Sequence, residues 1–345
     1  MADAIGNDLS QFAPIGNNGV GGGKLPCVSA LRLCAMSMIV ACHICQFYDN
    51  GWAWWLNVGV QIFFILSGFL YGFKTIVIPI NWLLKNCYKI LLPYYIFLVI
   101  ALALYLIFFP NLLNPISTIK AFLCVGTIKG LGHLWFVGYI VFCYFLTPIL
   151  QTIAQYIKDR GFWFSLCSIS ILIVVFYTFT IVTNFYFTAY NVICYIIGYF
   201  IATFVKRYGV RILKYVVMIS IPMAIISKVA YLYIESNMPN ISGMNHVLGL
   251  SHLMLGLALT YTLLLLFKSV KDCKLLQFSD RYSYHIYLVH LLFILSPFTL
   301  MSVTKYAIVN IVFVLIAVMI SGVLLYKVSQ MIDTIICKYL IKNRK

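Results

Sequence analysis

The chain has 345 residues, 63% of them hydrophobic and 9% charged, with a net charge of +16 and a mean hydropathy of +0.99. These values lie outside the range of soluble domains and describe a polytopic helical membrane protein. Lysines and arginines fall in short runs between apolar spans, which argues against a nucleic-acid partner and gives the positive-inside pattern of a multi-pass protein in a bilayer.

Residues 1–27 carry Asp3, Asp8 and a GVGGGK run without an apolar core, and read as a flexible cytoplasmic tail, neither signal peptide nor span. The first span, about Leu31 to Phe47, contains Arg32 and His43. Ionisable groups at membrane depth are costly and mark functional sites by default. Eleven residues apart, the two fall within about 20° of one helical face and about 16 Å apart along the axis. A molecule of that length can rest an anionic end on Arg32 and bring a reactive end to His43, an imidazole suited to general-base work. The alternative is an arginine snorkelling to headgroups and a histidine bonded inside a bundle. Cys42 and Cys45 bracket His43 as CxxC, but no second ligand pair at metal spacing follows, so no metal site is expected. The eleven scattered cysteines read as helix-core filling rather than a disulfide framework.

The loop YDNGWAWW, Tyr48 to Trp55, lacks lysine and arginine and is rich in tryptophan, which places it outside at the membrane interface. The second span, about Leu56 to Phe73, has Ser67 and Gly68 as small residues for close helix approach; Ser67 can also donate a hydrogen bond into a cavity. Lys74, Lys85 and Lys89 mark an inner loop before a third span from about Leu91 to Phe109, with Pro93 near its entrance. Lys85 and Lys89 share a helical face and, with Lys74, can contact phosphates or simply anchor the inner side. After an outer loop from Pro110, GHLWF opens a fourth span, Gly132 to Leu150. His133 and Trp135 stand there on the outer side, where Trp135 can anchor the interface.

Further spans run about Phe162 to Val182, Ala189 to Val205, up to Ile234, Val247 to Phe267, Tyr284 to Met301 and Ile308 to Val328. In the ninth, Tyr287 and His290 lie one turn apart, about 10 Å in from the cytoplasmic face and shallower than His43. They can line a cavity, or His290 can bond a neighbouring helix. His246, His252 and His285 have no spacing argument. The expected fold is therefore all-α, with about ten transmembrane helices, a membrane domain over 28–333, a basic tail over 334–345 and both termini cytoplasmic. Of the 24 lysines and arginines only Lys120, Lys129, Lys228 and Lys305 fall on or near the outer side, which supports that orientation.

Four features in order, Arg32-x10-His43, VGVQIFFILSGFL, Lys89-ILLPYY with GHLWF, and SYHIYLVH, give nearly the whole chain a resemblance to the acyltransferase-3 family of integral membrane O-acyltransferases. The resemblance implies an enzyme of the inner membrane with no permanently bound cofactor. Its donor would be an acyl-CoA, usually acetyl-CoA, and its acceptor a hydroxyl of a cell-surface polysaccharide, such as a lipopolysaccharide, or of a lipid-linked glycan precursor. Carried onto this chain, His43 would be the base that deprotonates the acceptor hydroxyl or would help an acyl-transfer step, and Arg32 would bind or orient the donor. Lys74, Lys85, Lys89, Tyr287 and His290 attend the donor, and His133, Trp135 and Ser67 the acceptor. Some branches place a glutamate shortly after the tryptophan of the fourth span; this chain has none there, nor any acidic residue inside the first span. Ten spans with a buried histidine also fit a transporter or flippase, or a non-catalytic partner in polysaccharide assembly.

Overall fold

The apolar runs fold into helix throughout. The computed structural model is 83% helical, without strands among the described residues, and describes residues 25–183, 189–238 and 243–342, the last four of these by backbone alone. Most of the expected N-terminal tail thus lies outside the described residues. The α-helices are α1 (Pro26–Phe47), the short α2 (Ala53–Leu56), α3 (Gly59–Gly72), α4 (Pro79–Phe108), α5 (Pro115–Phe122), α6 (Trp135–Ile157), α7 (Phe162–Val182), α8 (Ala189–Tyr208), α9 (Arg211–Asn237), α10 (Met244–Leu266), α11 (Lys274–Ile294) and α12 (Ala307–Lys342).

Nine stretches among the described residues are long and apolar enough to cross a bilayer; all but α5 and α11 take part in them, with α2 and α3 joined. The expected ninth span is the one that differs. α11 begins ten residues earlier than Tyr284, so its first half carries Lys274, Asp280, Arg281 and Ser283, which lowers its hydropathy. It stops at Ile294 because Pro297 cannot continue the ladder and Ser296 Oγ turns back to donate to the carbonyl of Leu292 and accept from Phe298 N. Two other bounds are corrected. α4 starts at Pro79 rather than near Leu91, so Lys85 and Lys89 sit on the helix itself instead of in a loop. α12 runs 36 residues, about 54 Å, so helix continues past Val328 and through the described part of the expected tail.

The chain divides into two units. The first takes Met1–Ile39, Leu56–Val77 and Phe145–Gln277, and its core is the crossing of α3 and α8. Here backbones meet: a Cβ added to Gly68 would lie 2.0 Å from the carbonyl oxygen of Tyr195, and one on Gly198 2.2 Å from that of Ile65. Small residues at helix crossings are what allow such approach in a bilayer, so the reading of Gly68 as a packing residue holds. Buried Gln61 donates to Asn191 across the same crossing at 3.1 Å. Gln151 both donates to and accepts from the backbone of Ile76. Arg207 donates to the carbonyls of Ile157, the last residue of α6, and of Arg160 in the turn after it.

Replacing Gly68 by alanine is expected to force α3 and α8 apart and to cost about 1–3 kcal/mol, seen as a lower thermal midpoint in detergent. Gly161→Ala, where an added Cβ meets nothing within 4 Å, serves as the control and should leave the midpoint in place.

The second unit takes Val40–Trp55, Ile78–Tyr144 and Phe278–Lys345. α4 and α12 lie together, with Tyr88 donating to Asp333 at 2.8 Å. Pro93 leaves the carbonyl of Lys89 without its helical donor, and the next carbonyl, of Ile90, accepts from Tyr284 of α11 at 2.9 Å. Tyr94 and Tyr105 tie α4 to the connection toward α6 by donating to the carbonyls of Ala121 and Lys129. α5 is started by Asn114, whose side chain accepts from Ile116 and Ser117 N–H, with Pro115 in the first turn. These ties fix the start of α6 and the end of α11, where the polar residues of interest lie.

Candidate active site

Three histidines of the second unit come together from three helices. His43 stands four residues before the end of α1 and His290 four before the end of α11, while His133 lies in the 3-10 turn Gly132–Leu134 that leads into α6. The His43 and His290 ring centroids are 5.2 Å apart, and those of His133 and His290 4.9 Å. Tyr287 lies 5.4 Å from both His133 and His290. Phe136 and Phe97 close the apolar side, at 5.0 Å from Tyr287 and 6.3 Å from His133.

The hydrogen bonds fix where each imidazole carries its proton, because a carbonyl-type oxygen can only accept. His133 Nε2–H donates to the Leu288 carbonyl at 2.9 Å, while Tyr287 Oη–H donates back to the His133 carbonyl at 2.6 Å. This reciprocal pair buckles the start of α6 to α11. His290 Nδ1–H donates to the Tyr287 carbonyl of its own helix. His43 Nδ1–H donates to Gln46 Oε1 at 2.6 Å. Each ring is left with one lone pair, and those of His133 Nδ1 and His290 Nε2 have no hydrogen-bond partner among the described residues.

Accessibility separates the three. His290 is 0% exposed and His133 4%, whereas His43 is half-buried. A ligand therefore reaches His43 first, with the other two rings behind it. The arrangement supports proton transfer at His43 Nε2 beside two enclosed imidazoles.

Other expected residues stand as follows. Arg32 is half-buried on α1, Ser67 half-buried on α3, and Lys74 exposed just past α3 with its ammonium 4.8 Å from the Tyr71 ring; all three belong to the first unit. Lys85 and Lys89 are exposed, one turn apart on α4. Trp135, half-buried, meets Tyr139 edge-on at 5.6 Å. Outside the cluster, His246 Nδ1 and Tyr177 Oη share a hydrogen bond at 2.6 Å, His285 lies against Tyr284 and Tyr326, and His252 is buried on α10.

Three expectations change. His290 is not shallower than His43: α11 starts at Lys274, which puts His290 about 24 Å along it, and the two rings are neighbours. Its ring N–H bonds its own helix, not an adjoining one. His133 does not lie at an open outer surface but is buried in the cluster. Gln46 was given no role from the sequence; its i, i+3 spacing from His43 on a helix was the available signal.

Long apolar helices, with polar side chains gathered inside a unit, define a multi-pass membrane protein carrying a buried histidine cluster. Residues 25–327 match the family model of the acyltransferase domain, acyltransferase-3, and the chain belongs to that family. No curated protein and no solved structure matches the chain.

Proposed function

We propose that the protein is an O-acyltransferase, and specifically an O-acetyltransferase, of the inner membrane. It would move acetyl from cytoplasmic acetyl-CoA to a hydroxyl of a cell-surface polysaccharide or lipid-linked glycan precursor. What supports this reading is membership of the acyltransferase-3 family over residues 25–327 together with a half-buried His43 backed by two buried imidazoles. In the reaction, His43 Nε2 takes the acceptor hydroxyl proton as the oxygen attacks the thioester carbonyl. The carbon–sulfur bond then breaks, and the thiolate takes that proton to leave as free coenzyme A. Lys85 and Lys89 supply positive charge for the donor's phosphates, Trp135 attends the acceptor, and Arg32, eleven residues before the base on the same helix, orients the donor. His133, Tyr287 and His290 form the wall behind the base.

The same reading takes α11 as a tenth crossing, with both termini cytoplasmic. Its 21 residues rise about 31 Å, enough to span a hydrocarbon core of about 30 Å. Among its polar side chains Ser279, Ser283, His285, Tyr287 and His290 are buried, where a bundle interior accommodates them, while Lys274, Gln277 and Arg281 toward its start are exposed. Under this topology the helix ends that carry His43 and His290 are the outer ones, so transfer finishes toward the outer face.

Inside-out membrane vesicles given acetyl-labelled acetyl-CoA test the proposal. Label is expected in an alkali-labile ester of the glycan, with free thiol released in step. Glycan movement without thiol release would point to a transporter. The Lys85→Ala/Lys89→Ala variant is expected to raise KM for acetyl-CoA about five-fold per charge lost at low salt, with kcat unchanged; an unchanged KM would leave these lysines as membrane anchors.

A further inference from the structure

We infer that Gln46 is the positioning residue for His43, a role that rests on the base assignment proposed above. A neutral imidazole has two tautomers, and only the one protonated on Nδ1 presents a lone pair at Nε2. Gln46 Oε1 selects that tautomer by accepting from Nδ1–H at 2.6 Å, and it also fixes the ring's rotation. This is the orienting task a carboxylate performs in a Ser-His-Asp triad. Here a neutral carboxamide performs it at the end of a membrane helix, without placing a second charge there.

The turn that carries Gln46 is itself held in place. Asp49, at φ 49°, closes α1, with its N–H bonded to the Gln46 carbonyl at 3.1 Å and Asn50 N–H bonded to that of Cys45 at 2.9 Å. One turn earlier, Cys42 Sγ donates to the Ala53 carbonyl, tying the last turns of α1 to α2. Gln46 is exposed, so its carboxamide has no burial need that would require this bond; the bond serves the histidine. The i, i+3 spacing makes the pair a property of the helix rather than of a loop.

The test uses the full chain in inside-out vesicles containing the glycan acceptor, with thiol release followed as acetyl-CoA is varied. Gln46→Met keeps the side chain's length and removes the acceptor oxygen. It is expected to lower kcat about 10–100-fold, the range found when the hydrogen-bond partner that orients a metal-bound histidine is removed, with KM for acetyl-CoA unchanged. Gln46→Glu restores an acceptor oxygen and should retain most of the rate. In a His43→Ala background, Gln46→Met should cause no further loss. Full activity in Gln46→Met while His43→Ala is inactive would overturn the role of Gln46 alone, as would equal losses in the methionine and glutamate variants. Full activity in His43→Ala would overturn the base assignment itself.

Discussion

Replacing His43 by alanine is expected to lower acetyl transfer about 10²–10⁴-fold, the range a positioned general base contributes. Membrane level and KM for acetyl-CoA should stay near those of the intact protein. The expectation follows from geometry. His43 is the member of the histidine cluster that is half-buried rather than enclosed, and its Nδ1–H is committed to Gln46, which leaves Nε2 to take a proton. The imidazole lies about 6 Å from the end of α1, so its removal opens no central cavity and should not unfold the helix. A drop in kcat with steady KM would mark an interaction made in the transition state. A rise in KM with steady kcat would instead make His43 a binding group.

The second large effect is expected at His290. Its ring is fully enclosed and its Nε2 has no partner among the described residues. A buried polar atom without a partner is destabilising, and replacing it with an apolar group of similar shape can be neutral or favourable. His290→Phe is therefore expected to keep or raise the thermal midpoint while lowering transfer about 10–100-fold, because the neighbour of His43 is changed. That opposition separates function from packing. A fall in stability with unchanged transfer per folded molecule would show that His290 only fills the interior.

Much of this was legible in the sequence, for local reasons. Arg32 and His43 share one uninterrupted helix, so their common face followed from the helical repeat. Gly68 could be read as a contact point because small residues in an apolar span have few other uses. What escaped detection was nonlocal or amphipathic. No local spacing reveals that His133 and His290, more than 150 residues apart, meet through the carbonyl of Leu288 and the hydroxyl of Tyr287. The start of α4 was misplaced because Lys85 and Lys89, one turn apart on an exposed face, resemble an inner loop once hydropathy is averaged. α11 was displaced for the opposite reason: among its polar residues Ser279, Ser283 and His285 are buried and Tyr284 bonds the carbonyl of Ile90, and averaging registers polarity but not burial. Gln46 was passed over because glutamine near a helix end ordinarily needs no explanation; the 2.6 Å bond to His43 supplies one.

The most direct measurement is the O-acyl content of the source cell's envelope glycan, compared among cells with the intact gene, its deletion, and His43→Ala at equal membrane level. The proposed function predicts an O-acetyl ester with the intact gene and its loss in both other strains. An ester retained at full level in the His43→Ala strain, or unchanged on deletion, would contradict it.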